Sequence, residues 1–155
     1  MTYQTIYPVI DRDNQCLFRT WAPHAGAVSL VIFPGEKAVP MERKEHGYWE
    51  KMLHEIEPGT RYKYKIDGGD PLPDPASLSQ PDGVHGSSEI IRLDDFKWTD
   101  GQWDNIPLTD MILYELHTGT FSQDGNFDGV CKRLDYLKDL GINTIEIMPV
   151  AQFSG

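Results

Sequence analysis

The sequence predicts an all-β sandwich followed by an incomplete α/β unit. Three observations predict it. Short β-type runs separated by turn residues extend from Thr5 to about Leu93. A Pro-rich stretch, Asp70 to Ser88, interrupts that rhythm. Beyond Asp110 the pattern changes to strand, helix, strand.

The β-type runs are CLFRTW, VSLVIF, YWEKML, RYKYKI and EIIRL. Pro34-Gly35 and Pro58-Gly59 suit tight turns, and Asp67-Gly68-Gly69 supplies positions that tolerate positive φ. Several short strands at this spacing indicate a sandwich. In RYKYKI the alternation places Tyr62, Tyr64 and Ile66 on one face and Arg61, Lys63 and Lys65 on the other, so one face is buried and one is wet.

The stretch 70–88 holds four prolines and two glycines, too many for a strand or a helix. A loop of this length is either functional or disordered. Asp74 and Asp82 are short acceptors suited to fixing turns, so the segment is expected to be ordered and packed against the α/β half. Residues 96–110 read as a packed connector, because Trp98 and Trp103 are costly to leave in water.

Met111 to His117 is a β-type run, and Phe127 to Leu140 places Phe127, Val130, Leu134, Leu137 and Leu140 on one helical stripe. Gly141 stands where a helix ends. Ile142 to Val150 then reads as a strand buried on both faces, the kind found inside a parallel sheet. Strand, helix and parallel strand form a βαβ unit, and one such unit cannot bury its own sheet. Most of the sheet is therefore expected to be missing. Apolar faces and unpaired edges at Met111–His117 and Thr144–Val150 are expected to recruit a second copy as a symmetric homodimer, or to fold back on the sandwich.

Composition narrows the function classes. Of 155 residues 39% are hydrophobic, enough for a core, and 24 acidic against 14 basic residues give a net charge of -10. That balance, with no basic run, argues against nucleic-acid binding. The N-terminus lacks an export signal and no stretch has membrane-spanning length, so the chain reads as soluble, cytoplasmic and without a membrane partner. Cys16 and Cys131 read as two buried thiols in a reducing compartment.

The stretches LFRTWAPHAGAVSLVIF, GYWEKMLHEIEPGTRYKYKIDG and MILYELHTGTFSQDGNFDGVCKRLDYLKDLGINTIEIMPVAQFSG, in this order, resemble the alpha-amylase superfamily of glycoside hydrolases. Within it, LPDPASLSQPDGVHGSSEI, YELHTGTF and MPVAQFSG are similar to segments of the malto-oligosyltrehalose trehalohydrolases. The resemblance implies an isoamylase-type, immunoglobulin-like module at 1–95, including the loop 70–88, a connector at 96–110, and at 111–155 the first strand, helix and second strand of a truncated (β/α)8 barrel. Such a barrel, a TIM barrel, has eight strands in about 250 residues, so the chain is expected to be an N-terminal fragment. For the parent enzyme the resemblance implies hydrolysis of an α-1,4 bond with release of trehalose from maltooligosyltrehalose, with an α-glucan as partner. The family's nucleophile, acid/base glutamate and stabilising aspartate belong to later strands. No catalytic residue is therefore assigned here, and the fragment is expected to be inactive. Two alternatives stand beside this: a fragment of a 1,4-alpha-glucan branching enzyme, whose first barrel strand carries a similar YE-x-H run, and a carbohydrate-binding or domain-docking module acting alone.

In a parallel barrel the helix-facing set is apolar, which sends Glu115, His117, Glu146 and Met148 inward. His117, near the C-terminal end of its strand, is the candidate for the wall of a sugar cleft; the competing reading makes it structural, like both glutamates. Trp21, Trp49, Tyr62 and Tyr64 could form a sugar-stacking platform, but most read as core, Trp21 included. His24, His46, His54 and His85 lack metal-ligand spacing and read as surface residues. No phosphate-cradling loop is present, so neither a metal nor a cofactor is expected.

Overall fold

The computed structural model describes residues 5–151, which fall into two compact units, one ending at Lys97 and the other starting at Trp98. No helix among the described residues is long and apolar enough to cross a membrane.

The first unit is all β. Its strands are β1 (Val9–Ile10), β2 (Cys16–Trp21), β3 (Val28–Phe33), β4 (Lys37–Pro40), β5 (Glu42–Arg43), β6 (Tyr48–Leu53), β7 (Arg61–Ile66), β8 (Pro71–Leu72) and β9 (Ser88–Glu89). One sheet has the order β1-β2-β6-β5 and the other β4-β3-β7-β8, with β9 also on β7; every pairing is antiparallel. CLFRTW, VSLVIF, YWEKML and RYKYKI are strands as read. EIIRL is not. Residues Arg61 and Tyr62 of β7 pair with β9, while Tyr64 and Lys65 pair with β8, so two short segments divide one strand edge. The chain beyond Glu89 then leaves the ladder and enters a 3-10 turn at Leu93–Asp95.

Period-two alternation builds the core. Cys16, Phe18 and Trp49 from one sheet meet Val28, Leu30, Tyr62 and Tyr64 from the other. Phe18 and Tyr62 meet edge to face at 5.3 Å between ring centroids, and the Tyr64 hydroxyl donates to Arg19 O at 3.1 Å. Each such side chain contributes roughly 1.5–3 kcal/mol on leaving water. The turn at Asp67-Gly68 lies in the left-handed region, and Asp67 Oδ1 accepts from the backbone N–H of Gly26 and of Ala27, both at 2.8 Å, joining two loops at one end of the sandwich.

The Pro-rich segment 70–88 is ordered, and its side chains are tied to the sandwich. Arg61 forms ion pairs with Asp82 at 2.8 Å and Glu89 at 3.1 Å, and Lys63 Nζ donates to His85 O at 3.3 Å.

The second unit opens with a 3-10 turn, Leu108–Asp110, and continues as β10 (Leu113–His117), α1 (Thr118–Phe121), α2 (Phe127–Cys131), α3 (Leu134–Asp139) and β11 (Thr144–Met148). Strands β10 and β11 are parallel, running in register from Leu113↔Thr144 to His117↔Met148. Leu116, Val130 and Leu137 are its buried core, with Phe121, Ile142, Ile145 and Ile147 packed around them.

Four expectations need correction. The stripe from Phe127 to Leu140 is not one helix. Arg133, at φ -110° and ψ 2°, is not helical, and its N–H reaches Val130 O three residues back, so the chain bends between α2 and α3. Only Val130 and Leu137 of the stripe are buried; Phe127, Leu134 and Leu140 face solvent. Second, Cys131 is exposed, because it lies off the short buried arc of α2, whereas Cys16 is buried; both thiols are free. Third, Trp98 and Trp103 are 76% and 69% exposed. The connector around them is irregular and presents their rings to solvent. Fourth, Trp21 is not core.

Local signals close the second unit. Asn126 Oδ1 caps α2 by accepting from Gly129 N–H at 2.9 Å. After α3, Ile142 N–H reaches Leu137 O at 3.0 Å and Gly141 N–H reaches Lys138 O at 2.9 Å, with Gly141 at φ +95°. That paired closure needs the left-handed residue that glycine supplies. Asn143 then holds the entry to β10: its Oδ1 accepts from Ile112 N–H at 2.7 Å and its Nδ2 donates to Asp110 O at 2.8 Å.

Candidate functional site

Strand alternation brings the predicted residues of the second unit onto one face. Glu115 lies beside Glu146 and His117 beside Met148 in the parallel register. All four are exposed, while Leu116, Ile145 and Ile147 pack toward the helices. His117 ends β10 and caps α1, its Nδ1 accepting from Gly119 N–H at 3.2 Å. An accepting Nδ1 leaves the ring proton on Nε2, the nitrogen available to a ligand. The two glutamates project side by side from neighbouring strands about 4.8 Å apart, so they cannot flank a glycosidic bond from opposite sides.

In the sandwich, Asp74 is 2% exposed and organises the Pro-rich loop. Its Oδ2 accepts from the Tyr62 hydroxyl at 2.7 Å and its Oδ1 from Ala76 N–H at 2.8 Å, while its own N–H donates to Ser88 Oγ at 2.9 Å. Burial raises its carboxyl above the usual range, opposed by the bonds from Tyr62 and Ala76. Burial, reinforced by Asp74, likewise raises the Tyr62 hydroxyl. This network is structural.

The aromatic candidates separate cleanly. Trp49, Tyr62 and Tyr64 are buried in the core. Trp21 is 60% exposed, on the face of β2 turned away from the core, which it shares with the half-buried Leu17 and the buried Arg19. Strict alternation from Cys16, Phe18 and Thr20 was the signal that could have found this. His24, His46, His54 and His85 are exposed, and among the described residues no three His, Cys, Asp or Glu side chains gather as a metal-binding set.

Residues 7–95 match carbohydrate-binding module 48, the isoamylase N-terminal domain. The chain belongs to this family. A malto-oligosyltrehalose trehalohydrolase from Saccharolobus solfataricus is 48% identical over 94% of the chain, which covers 26% of that enzyme. A 1,4-alpha-glucan branching enzyme from Vibrio parahaemolyticus is 32% identical over 87% of the chain and 20% of its own length. A solved structure of a candidate alpha amylase from Salmonella typhimurium superposes with a TM-score of 0.89 at 31% identity, over 99% of this chain and 26% of that one. The chain thus spans about a quarter of the length of the trehalohydrolase and amylase relatives. As a module 48 domain, the first unit has the β-sandwich that the alternating runs predicted.

Proposed function

We propose that this chain is the amino-terminal part of a glycoside hydrolase that releases trehalose from maltooligosyltrehalose by cleaving an α-1,4-glucosidic bond. Residues 1–95 serve as its module 48 sandwich, 96–110 as connector, and 111–155 as the opening strands and helices of the catalytic barrel. The observation that carries this reading is the 48% identity to a trehalohydrolase, which runs through both units. The parallel pairing of β10 and β11 around the helices supports the barrel assignment. In this reading His117, at the C-terminal end of β10, belongs to the wall of the substrate cleft, and its Nδ1 being taken up by Gly119 N–H leaves Nε2 to meet a sugar hydroxyl. On this reading the nucleophile and the acid/base carboxylate come from later strands, and the 155-residue chain by itself is inactive.

Assays with maltooligosyltrehalose test this. The gene product carrying the remaining barrel releases trehalose, and the 155-residue chain does not. Transfer of glucan chains to form branches, without trehalose release, would replace the hydrolase reading with the branching-enzyme one.

A further inference from the structure

We infer that Asp100-Gly101 is a self-modification site, at which the Asp100 carboxyl closes onto the Gly101 nitrogen and reopens as isoaspartate. The chemistry is independent of the proposed activity and lies outside both the sandwich strands and the β10–β11 pair.

An aspartate followed by glycine can cyclise because glycine has no Cβ to shield its nitrogen. The sequence contains five such pairs, beginning at Asp67, Asp82, Asp100, Asp124 and Asp128. Four of them are held. Asp67 Oδ1 accepts from Gly26 N–H and Ala27 N–H, both at 2.8 Å. Asp82 is ion-paired with Arg61 at 2.8 Å, and Gly83 N–H donates to Gln80 O at 2.9 Å. Asp124 pairs with Lys132 at 2.9 Å, and Gly125 N–H donates to Ser122 O at 3.3 Å. Asp128 lies in α2, where Gly129 is buried and its N–H donates to Asn126 Oδ1 at 2.9 Å. At each of these four, closing the ring must first break a bond that the fold makes.

Asp100-Gly101 carries no such restraint. Both residues are exposed. Among the described residues nothing bonds the Asp100 carboxylate or the Gly101 N–H, and a Cβ built on Gly101 would meet no atom within 4 Å. The bond that the pair does make runs from Trp103 N–H to Asp100 O at 2.8 Å. It leaves both reacting atoms free and assists them, because charge drawn toward that carbonyl oxygen makes the adjoining amide N–H easier to lose. The Gly101 nitrogen bonds to Asp100 Cγ, the Cγ–OH bond of the protonated carboxyl breaks, and the hydroxyl and the N–H proton leave together as one water. Water then adds back to the ring, at Cγ to restore aspartate or at the Asp100 main-chain carbonyl carbon to give isoaspartate. The sum is an isomerisation, with no oxidant and no cofactor. Its product has an extra methylene in the main chain and a free α-carboxylate, in the irregular stretch between Trp98 and Trp103.

Incubation of the native chain at neutral pH, below its melting temperature, tests the site. Peptides are then mapped by electron-transfer mass spectrometry, which separates isoaspartate from aspartate, and total isoaspartate is counted with an isoaspartyl carboxyl methyltransferase and a labelled methyl donor. An unincubated sample sets the background. Isoaspartate is expected to accumulate at position 100 severalfold faster than at any of the other four pairs, and the same chain held unfolded in urea should lose that preference. Asp100→Glu, which would have to close a larger ring, should remove the signal. Gly101→Val, whose branched side chain crowds the nitrogen, should slow it severalfold. Gly101 lies outside the left-handed region and has open space around it, so the fold tolerates the substitution; an unchanged melting temperature checks that. Isoaspartate spread evenly over the five pairs of the native chain, concentrated at one of the other four, or absent from all of them would overturn the inference, as would Gly101→Val reacting at the parent's rate. Trehalose release by the longer enzyme is a separate readout, and its absence would leave the isoaspartate result standing.

Discussion

The Tyr62 hydroxyl donates a 2.7 Å hydrogen bond to Asp74 Oδ2, joining the centre of β7 to the Pro-rich loop in the interior of the sandwich. Tyr62→Phe removes that donor and leaves the buried carboxylate oxygen without it. The expected loss is about 1–3 kcal/mol, the cost of stranding a buried polar group. Asp74→Asn, which keeps an acceptor of the same shape, should lose less. Urea unfolding of the three proteins checks the order, and equal midpoints for Tyr62→Phe and the parent would contradict it.

The same carboxylate imposes a pH dependence. Its folded pKa lies above the ordinary value of 3.8, chiefly through burial. The folded chain therefore holds this proton more tightly than the unfolded chain. The stabilisation linked to Asp74 is complete below the ordinary value and is lost as pH rises through the raised one. Subtracting an Asp74→Asn titration from the parent's isolates it: the parent's relative stability should fall with rising pH across that window. A difference that stays flat, or rises, would show that the group does not titrate as its surroundings dictate.

The cysteines should separate by reactivity. Burial, with a smaller contribution from Asp11, pushes the Cys16 thiol up to about 12, whereas Cys131 is exposed. Ellman's reagent on the native chain should modify Cys131 promptly and reach Cys16 only after denaturation. Prompt release of two equivalents from the native chain would refute this.

Gly129 is buried in α2, and an added Cβ there would collide with the Ser122 Oγ. Gly129→Ala should therefore destabilise the second unit by about 1–3 kcal/mol, as overpacking does, despite alanine's better helix propensity. Ser122→Gly should restore part of the loss in the double variant. Hydrogen exchange in β10 and β11 reports on this unit directly; additive effects of the two substitutions would remove the collision as the cause.

The four longer strands of the sandwich were legible because alternation and turn chemistry are local. CLFRTW and RYKYKI carry their inner and outer faces in their own order of residues. The order of Asp74 in its loop was legible as turn chemistry, but its bond to Tyr62 spans 12 residues and has no local signature. Burial of the large aromatics was not legible, since it depends on what lies opposite. Trp21 and Trp49 belong to adjacent strands of one sheet, yet one residue of offset in the pleat sends the first outward and the second into the core. The break between α2 and α3 was hidden for a related reason: the spacing of Phe127, Val130, Leu134, Leu137 and Leu140 fits a continuous helix, and the bend at Arg133 shows only in backbone geometry.

Asn143 fixes more than a loop. Among the described residues β10 and β11 pair only with each other, and a shift of one residue would turn Ile145 and Ile147 to the solvent and Glu146 to the helices. The asparagine grips the chain on either side of Met111, through Ile112 N–H and Asp110 O, immediately before the first ladder pair. Any slip must break both bonds before a single new strand contact forms. The side chain acts as an alignment pin, giving a two-stranded ladder the positional certainty that larger sheets draw from their neighbours.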